Sequence, residues 1–156
     1  MSAPAAERPP SADAETASLA TLLVAAAVVI EEGRVLLTQR KVGTHLAGAW
    51  EFPGGKVRPG EDPRCALVRE LQEELGIESV VGDVMEVTFH RYPERSVLLL
   101  FYEARRAPSS PDPRALDVAA FRWATTHELD EASFPPADVA ILRKVRARLD
   151  REDEIR

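Results

Sequence analysis

The sequence predicts a single α/β domain, and three observations carry that expectation. Two apolar strand-like runs, Leu22 to Ile30 and Val35 to Arg40, flank the turn Glu31-Glu32-Gly33-Arg34. A helical pattern follows from Pro63 to Leu75, with Leu67, Leu71 and Leu75 four residues apart. Further strands and a second amphipathic helix complete a chain of 156 residues, the length of one domain, whose 45% apolar content supplies a core.

The ends and the charge set bounds on function. Residues Met1 to Ser18 are rich in Ala, Pro, Ser and acid and read as a disordered tail, leaving the domain over 19–150 and a charged end over 151–156. The apolar run Leu19 to Ile30 follows a long segment of mixed charge, unlike a signal peptide, and is too short to span a bilayer. No membrane partner is expected. A net charge of −6 argues against a general binder of nucleic-acid polymers, although local cations and metal ions still allow a polyphosphate. The single Cys65 cannot form an intramolecular disulfide, which fits a reducing, cytoplasmic setting. Monomer and homodimer both remain open.

The chemistry concentrates in Gly55 to Ile77. Gly54, Gly55, Pro59 and Gly60 mark a loop, Pro63 opens a helix, and Gly76 closes it. At about 100° per residue, Glu70, Glu73 and Glu74 share an arc beside the leucine stripe. Like charges so spaced destabilise a helix by a few tenths of a kcal/mol per pair, so local stability gives no reason to cluster them. A divalent cation reverses that sign, because Mg2+ takes hard oxygen ligands and is often held by carboxylates together with substrate phosphates. Glu61 and Arg69 are placed to brace the carboxylates from the loop and the flank.

Gly55, Glu61, Arg69-Glu70-Leu71, Glu73-Glu74 and Gly76-Ile77 match the Nudix box at every specified position. The chain therefore resembles the Nudix hydrolase family. That resemblance implies an α/β/α sandwich around a mixed β-sheet and hydrolysis of a nucleoside diphosphate linked to another group. The metal would be Mg2+, with Mn2+ as a substitute, held by Glu70, Glu73, Glu74 and the Gly54 carbonyl.

Outside the box the chain is similar to the MutT-like branch, which cleans nucleoside triphosphate pools. By that similarity Arg40 and His45 lie near phosphates or sugar, Glu51, Phe52, Pro53 and Gly54 form part of the nucleotide site, and Arg95, in the turn Tyr92-Pro93-Glu94-Arg95 between two strands, contacts the nucleotide. Trp50 and Phe52 fit a core role as well as base stacking. Asp117 occupies the place of an acidic residue that binds metal or acts as base; the branch more often has Glu there with a second acid two residues on, where this chain has Ala119. Asp117 is thus the first candidate for the general base and a box glutamate the second. Phe134-Pro135-Pro136-Ala137 also resembles this branch and leads into a helix with Ile141, Leu142, Val145 and Leu149 on its buried face.

Members acting on 8-oxo-dGTP carry asparagine after that stretch, and this chain carries Asp138. An ionised aspartate only accepts hydrogen bonds, so it suits the N4 amino donor of cytosine better than the O6 acceptor of 8-oxoguanine. The expected reaction is NTP plus water to NMP and diphosphate, leaning to CTP, dCTP or 5-substituted cytosine nucleotides. An 8-oxo-dGTP diphosphatase is the alternative within the branch. A nucleotide-sensing module without catalysis is the alternative of another class, and it would be expected to have lost box carboxylates.

Overall fold

The computed structural model describes residues 20–156, and the tail expected over 1–18 lies outside them. In chain order the strands are β1 (Thr21–Glu31), β2 (Arg34–Gln39), β3 (Trp50–Glu51) and β4 (Gly54–Lys56), then helix α1 (Pro63–Leu75). The antiparallel pair β5 (Ser79–Arg91) and β6 (Ser96–Arg106) follows, then β7 (Ala120–Ala124). Three 3-10 turns, Thr126–Glu128, Glu131–Ser133 and Pro136–Asp138, lead into α2 (Val139–Ile155). None of the described helices is long and apolar enough to cross a membrane.

The strands form one mixed sheet in the order β3-β2-β1-β6-β5, with β4 added to β1 and β7 to β2. β1 runs parallel to β6 from Thr21↔Ser96 to Val29↔Ala104, and the other pairs are antiparallel. The turn between β1 and β2 has positive φ at both central residues, Glu32 (51°) and Gly33 (73°), the signature of a tight primed hairpin.

Alternation along β1 divides the core into two layers. Ala25, Ala27 and Val29 face α1 and pack with Leu36, Leu67, Leu71, Leu75 and Ile77. Ala26 and Val28 face α2 and pack with Leu37, Phe101, Ile141, Leu142, Val145 and Leu149. Each of these larger side chains contributes about 1.5–3 kcal/mol on full burial. The result is the expected α/β/α sandwich.

Helix α1 has the expected bounds. Pro63 begins it, the Asp62 carboxylate accepts from the Arg64 N–H at 2.7 Å, and Gly76 ends it in a left-handed conformation (φ 67°) with its N–H on the Gln72 carbonyl. Cys65 on this helix is exposed. Helix α2 continues through residues 151–155, and Asp153 and Arg156 approach Gly33, so the charged end docks on the first hairpin. The basic residues of α2 pair with neighbouring elements: Arg143 and Arg146 with Glu131, Lys144 with Glu86, Arg148 with Glu103. Such partly exposed pairs contribute at most about 1 kcal/mol each.

Candidate active site

β1 and β2 pair only beside their turn, at Ile30↔Val35 and Glu31↔Arg34. Beyond it they separate, and a cavity of about 640 Å³ is walled by the start of β1 and by the residues that follow β2. Its apolar part is made by Leu22, Val24 and Ala26 of β1 with Val97, Leu99 and Phe101 of β6. These are alternate residues of two parallel strands and so share one face. Phe52 completes that wall and also packs on Phe101 and Phe134, so it belongs to core and cavity together. Trp50 is half-buried under the Arg122 guanidinium, 4.5 Å from its ring, and does not line the cavity.

Beside this wall stand the residues of the box, since β4 pairs with β1 at Val24, Ala25 and Ala26. Arg69 organises them: its Nε and Nη2 donate to Glu61 at 3.0 and 2.9 Å, and its Nη1 donates to Glu70 at 2.9 Å and to Glu73 at 3.3 Å. Nη2 also donates to the Lys56 carbonyl at 3.2 Å. Glu61 is held down at about 2 by these guanidinium bonds and by the Arg58 N–H. Loop, β4 and helix are thereby tied to one planar fork, which an ammonium would not span.

The two glycines have separate reasons. A Cβ on Gly55 would lie 2.4 Å from the Glu70 carboxyl carbon, so the carboxylate rests against bare backbone. A Cβ on Gly54 would lie 2.1 Å from the Ala25 carbonyl oxygen, because β4 crosses closely over the small residues of β1.

Glu74 lines the cavity beside Gly54 and Gly55. Desolvation raises its carboxyl to about 9, with Glu70, Glu51 and Asp117 adding repulsion against a Gly54 backbone hydrogen bond. A buried carboxyl surrounded by further carboxylates is the donor set a hard divalent cation satisfies, so Mg2+ fits this corner. Glu70 rests against Gly55 and Glu74 takes a hydrogen bond from the Gly54 backbone, whereas Glu73 is half-exposed and hangs from Arg69. Among the described residues no three His, Cys, Asp or Glu side chains already form a cage. Arg69 draws two of the carboxylates toward Glu61 instead.

Most of the other expected residues converge on the cavity, and two do not. Arg40 lines it, donating through Nη1 to both Glu51 oxygens at 3.1 and 3.2 Å and through Nε to the His45 carbonyl. Burial nevertheless pushes Glu51 up, against the pull of Arg40. His45, Arg95 and Asp138 line the cavity too. Pro53 does not: it is buried, and its carbonyl accepts from the Ala27 N–H at 2.8 Å, tying this loop to β1. Asp117 also stands outside the wall, exposed and paired with Lys41, its N–H on the Glu74 carbonyl at 3.1 Å.

Tyr92 and Lys56 line the cavity and were not expected there. Tyr92 meets the His45 ring edge-on at 5.4 Å and the His90 ring, also edge-on, at 4.4 Å. Its place in a turn hides that role in the sequence. The signal for Lys56 was its position beside Gly54 and Gly55.

Known proteins resemble this chain in sequence and fold. The NUDIX domain family matches residues 21–148. The chain is 40% identical over 120 residues to the CTP pyrophosphohydrolase of Escherichia coli, covering 76% of this chain and 87% of that protein. It is 37% identical over 123 residues to the 8-oxo-dGTP diphosphatase of Haemophilus influenzae, covering 78% and 89%. The solution structure of the E. coli ORF135 protein superposes with a TM-score of 0.70 at 36% identity, covering 84% of this chain and 92% of that one. With the complete box, the two-layered core and the cavity at its edge, the chain belongs to the Nudix hydrolase family, in its MutT-like branch.

Proposed function

We propose that the protein is a magnesium-dependent nucleoside triphosphate pyrophosphohydrolase that converts an NTP and water to NMP and diphosphate. One observation carries the reading: a single cavity is lined by Glu74, Gly54 and Gly55 together with an apolar wall and the buried Asp138. Arg40, Lys56 and Arg95 line the same cavity. That lining suits a phosphate chain beside the polar groups and a base in an apolar slot.

Glu70 and Glu74 with the Gly54 carbonyl, joined by Glu73 once it leaves Arg69, would hold the magnesium, which when bound neutralises charge on the phosphates and lowers the pKa of water. The remaining work falls to the chain's own groups. Arg95 and Lys56 orient the phosphates, and Arg40, braced by Glu51, holds the sugar side of the site. Phe52, Val97 and Leu99 exclude water from the base. With Glu74 serving as an oxygen ligand, Asp117 takes the proton from the attacking water once its pairing with Lys41 is released.

The burial of Asp138 alters the argument for cytosine. Only 4% of it is exposed, and desolvation together with Glu51 raises its carboxyl to about 8, against the opposing effect of Arg40. A neutral carboxyl both donates and accepts. It matches the N4 donor and N3 acceptor of cytosine, and equally the N7 donor and O6 acceptor of 8-oxoguanine. We therefore propose cytosine nucleotides first, as in the relative that acts on CTP, and 8-oxo-dGTP second, as in the relative named for it.

The test is kcat/KM with magnesium for dCTP, CTP, 8-oxo-dGTP, dGTP, a nucleotide sugar and a dinucleotide. Unmodified guanine sets two acceptors side by side, and an unpaired buried group costs about 1–3 kcal/mol. dCTP and 8-oxo-dGTP are expected to exceed dGTP by about tenfold, equivalent to about 1.4 kcal/mol. A preference for the nucleotide sugar or the dinucleotide, or no turnover at all, would overturn the assignment.

A further inference from the structure

Thr38 of β2 carries a hydroxyl that the fold itself does not use. The residue is 1% exposed, and its Oγ1 is buried with no hydrogen-bond partner among the described residues. A buried hydroxyl left in that state costs stability, whereas a methyl group of the same shape would not. Valine would suit a strand equally well. The hydroxyl therefore calls for a partner that another state of the protein supplies.

The sheet offers few. Side chains alternate along β2, so Thr38 shares the α1 face with Leu36 and Arg40, and its direct neighbours across the ladder are Glu51 of β3 and Phe121 of β7. Of these four, Glu51 alone brings an acceptor. Directly opposed residues have Cβ atoms about 5 Å apart, so a carboxylate on one can turn to a hydroxyl on the other. In the structure Glu51 leans to Arg40 instead, accepting from its Nη1 at 3.1 and 3.2 Å. Arg40 lines the cavity, and its Nε is already engaged on the His45 carbonyl. An anionic ligand at Arg40 thus competes with Glu51 for one guanidinium. Drawing the guanidinium away leaves a buried carboxylate without its cation, a costly state unless another donor arrives.

We propose that Thr38 is a positioning residue for nucleotide binding: when the ligand engages Arg40, the Thr38 hydroxyl donates to the Glu51 carboxylate, holds it in place and frees the guanidinium. This rests on the reading that the cavity binds a nucleoside triphosphate. The hydroxyl is idle in the free protein and bonded in the complex, so it contributes to affinity and not to the stability of the fold.

Thr38→Val and Thr38→Ser separate the hydroxyl from the volume it occupies. The readouts are Tm of the free protein, and kcat and KM with magnesium for dCTP or 8-oxo-dGTP, whichever is turned over faster. Valine keeps the shape and removes the idle group, so Tm is expected to equal or exceed that of the parent. KM is expected to rise about tenfold with kcat within about twofold, as for an interaction made equally in the bound ground state and the transition state. Serine keeps the hydroxyl and loses a buried methyl, so Tm is expected to fall while KM stays within about twofold of the parent. The two variants therefore rank in opposite orders on the two readouts, which a residue needed only for packing would not produce. In a Glu51→Gln background the side chain opposite carries no charge to be stranded, and Thr38→Val should raise KM by about twofold or less. Unchanged KM in Thr38→Val, a Tm below that of the parent in Thr38→Val, or a tenfold rise that persists in the Glu51→Gln background would each overturn the proposal. Absence of turnover by the parent with every nucleotide would instead overturn the assigned activity. The Tm comparison, which needs no turnover, still decides whether the hydroxyl is idle in the free protein and so separates the two failures.

Discussion

Glu74→Gln is expected to lower magnesium-dependent turnover by about a hundredfold or more while the protein remains folded, because an amide of the same shape replaces an oxygen ligand of the metal. The fold should tolerate the change. Burial and the neighbouring acids raise the Glu74 carboxyl to about 9, so folding takes up a proton that the unfolded chain lacks at neutral pH. That uptake lowers stability as pH rises from the ordinary carboxylate range toward 9, and glutamine removes the penalty. Metal-free Glu74→Gln should accordingly melt no lower than the parent at pH 8. Activity within a few-fold of the parent would remove Glu74 from the metal site, whereas a lower Tm would show a structural role.

Gly54→Ala is expected to act on the fold itself. Its Cβ would sit 2.1 Å from the Ala25 carbonyl oxygen and 2.7 Å from the Ala26 Cα, both backbone atoms within a ladder that includes the Ala27 N–H on the Pro53 carbonyl. Neither atom can move without separating β4 from β1, and overpacking of this kind costs about 3 kcal/mol. A fall in Tm of roughly 10 °C follows for a domain of this size. Gly55→Ala offers the contrast, since its Cβ meets only the end of the flexible Glu70 side chain, and activity should fall more than stability. Equal melting temperatures for Gly54→Ala and the parent would disprove the close crossing.

Where local chemistry dictates local structure, the sequence was legible. Pro63, the leucine repeat and Gly76 fix α1 to the residue, and the Arg69 fork lies where the spacing of Glu61 and Glu70 places it. Strands β3 and β4 escaped notice because they are two and three residues long and are separated by a proline, so neither carries an apolar pattern. The slot was hidden for another reason. Leu22 to Ile30 is apolar on both faces, and nothing within the run distinguishes Val24, which lines the cavity, from Ala25, which packs under α1. The charge state of Asp138 was equally out of reach, since it depends on burial and on Glu51, which is 87 positions away in the chain (138 − 51). A motif marks a neighbourhood and does not say which member lines the cavity, as the buried Pro53 with its carbonyl on the Ala27 N–H illustrates.

In the proposed reaction this cavity directs water onto the phosphate chain so that a nucleoside monophosphate leaves from diphosphate. The most direct measurement is 31P NMR of dCTP incubated with the protein and magnesium. dCMP and diphosphate are expected in equal amounts, with no accumulation of dCDP. Release of dCDP with inorganic phosphate would contradict it.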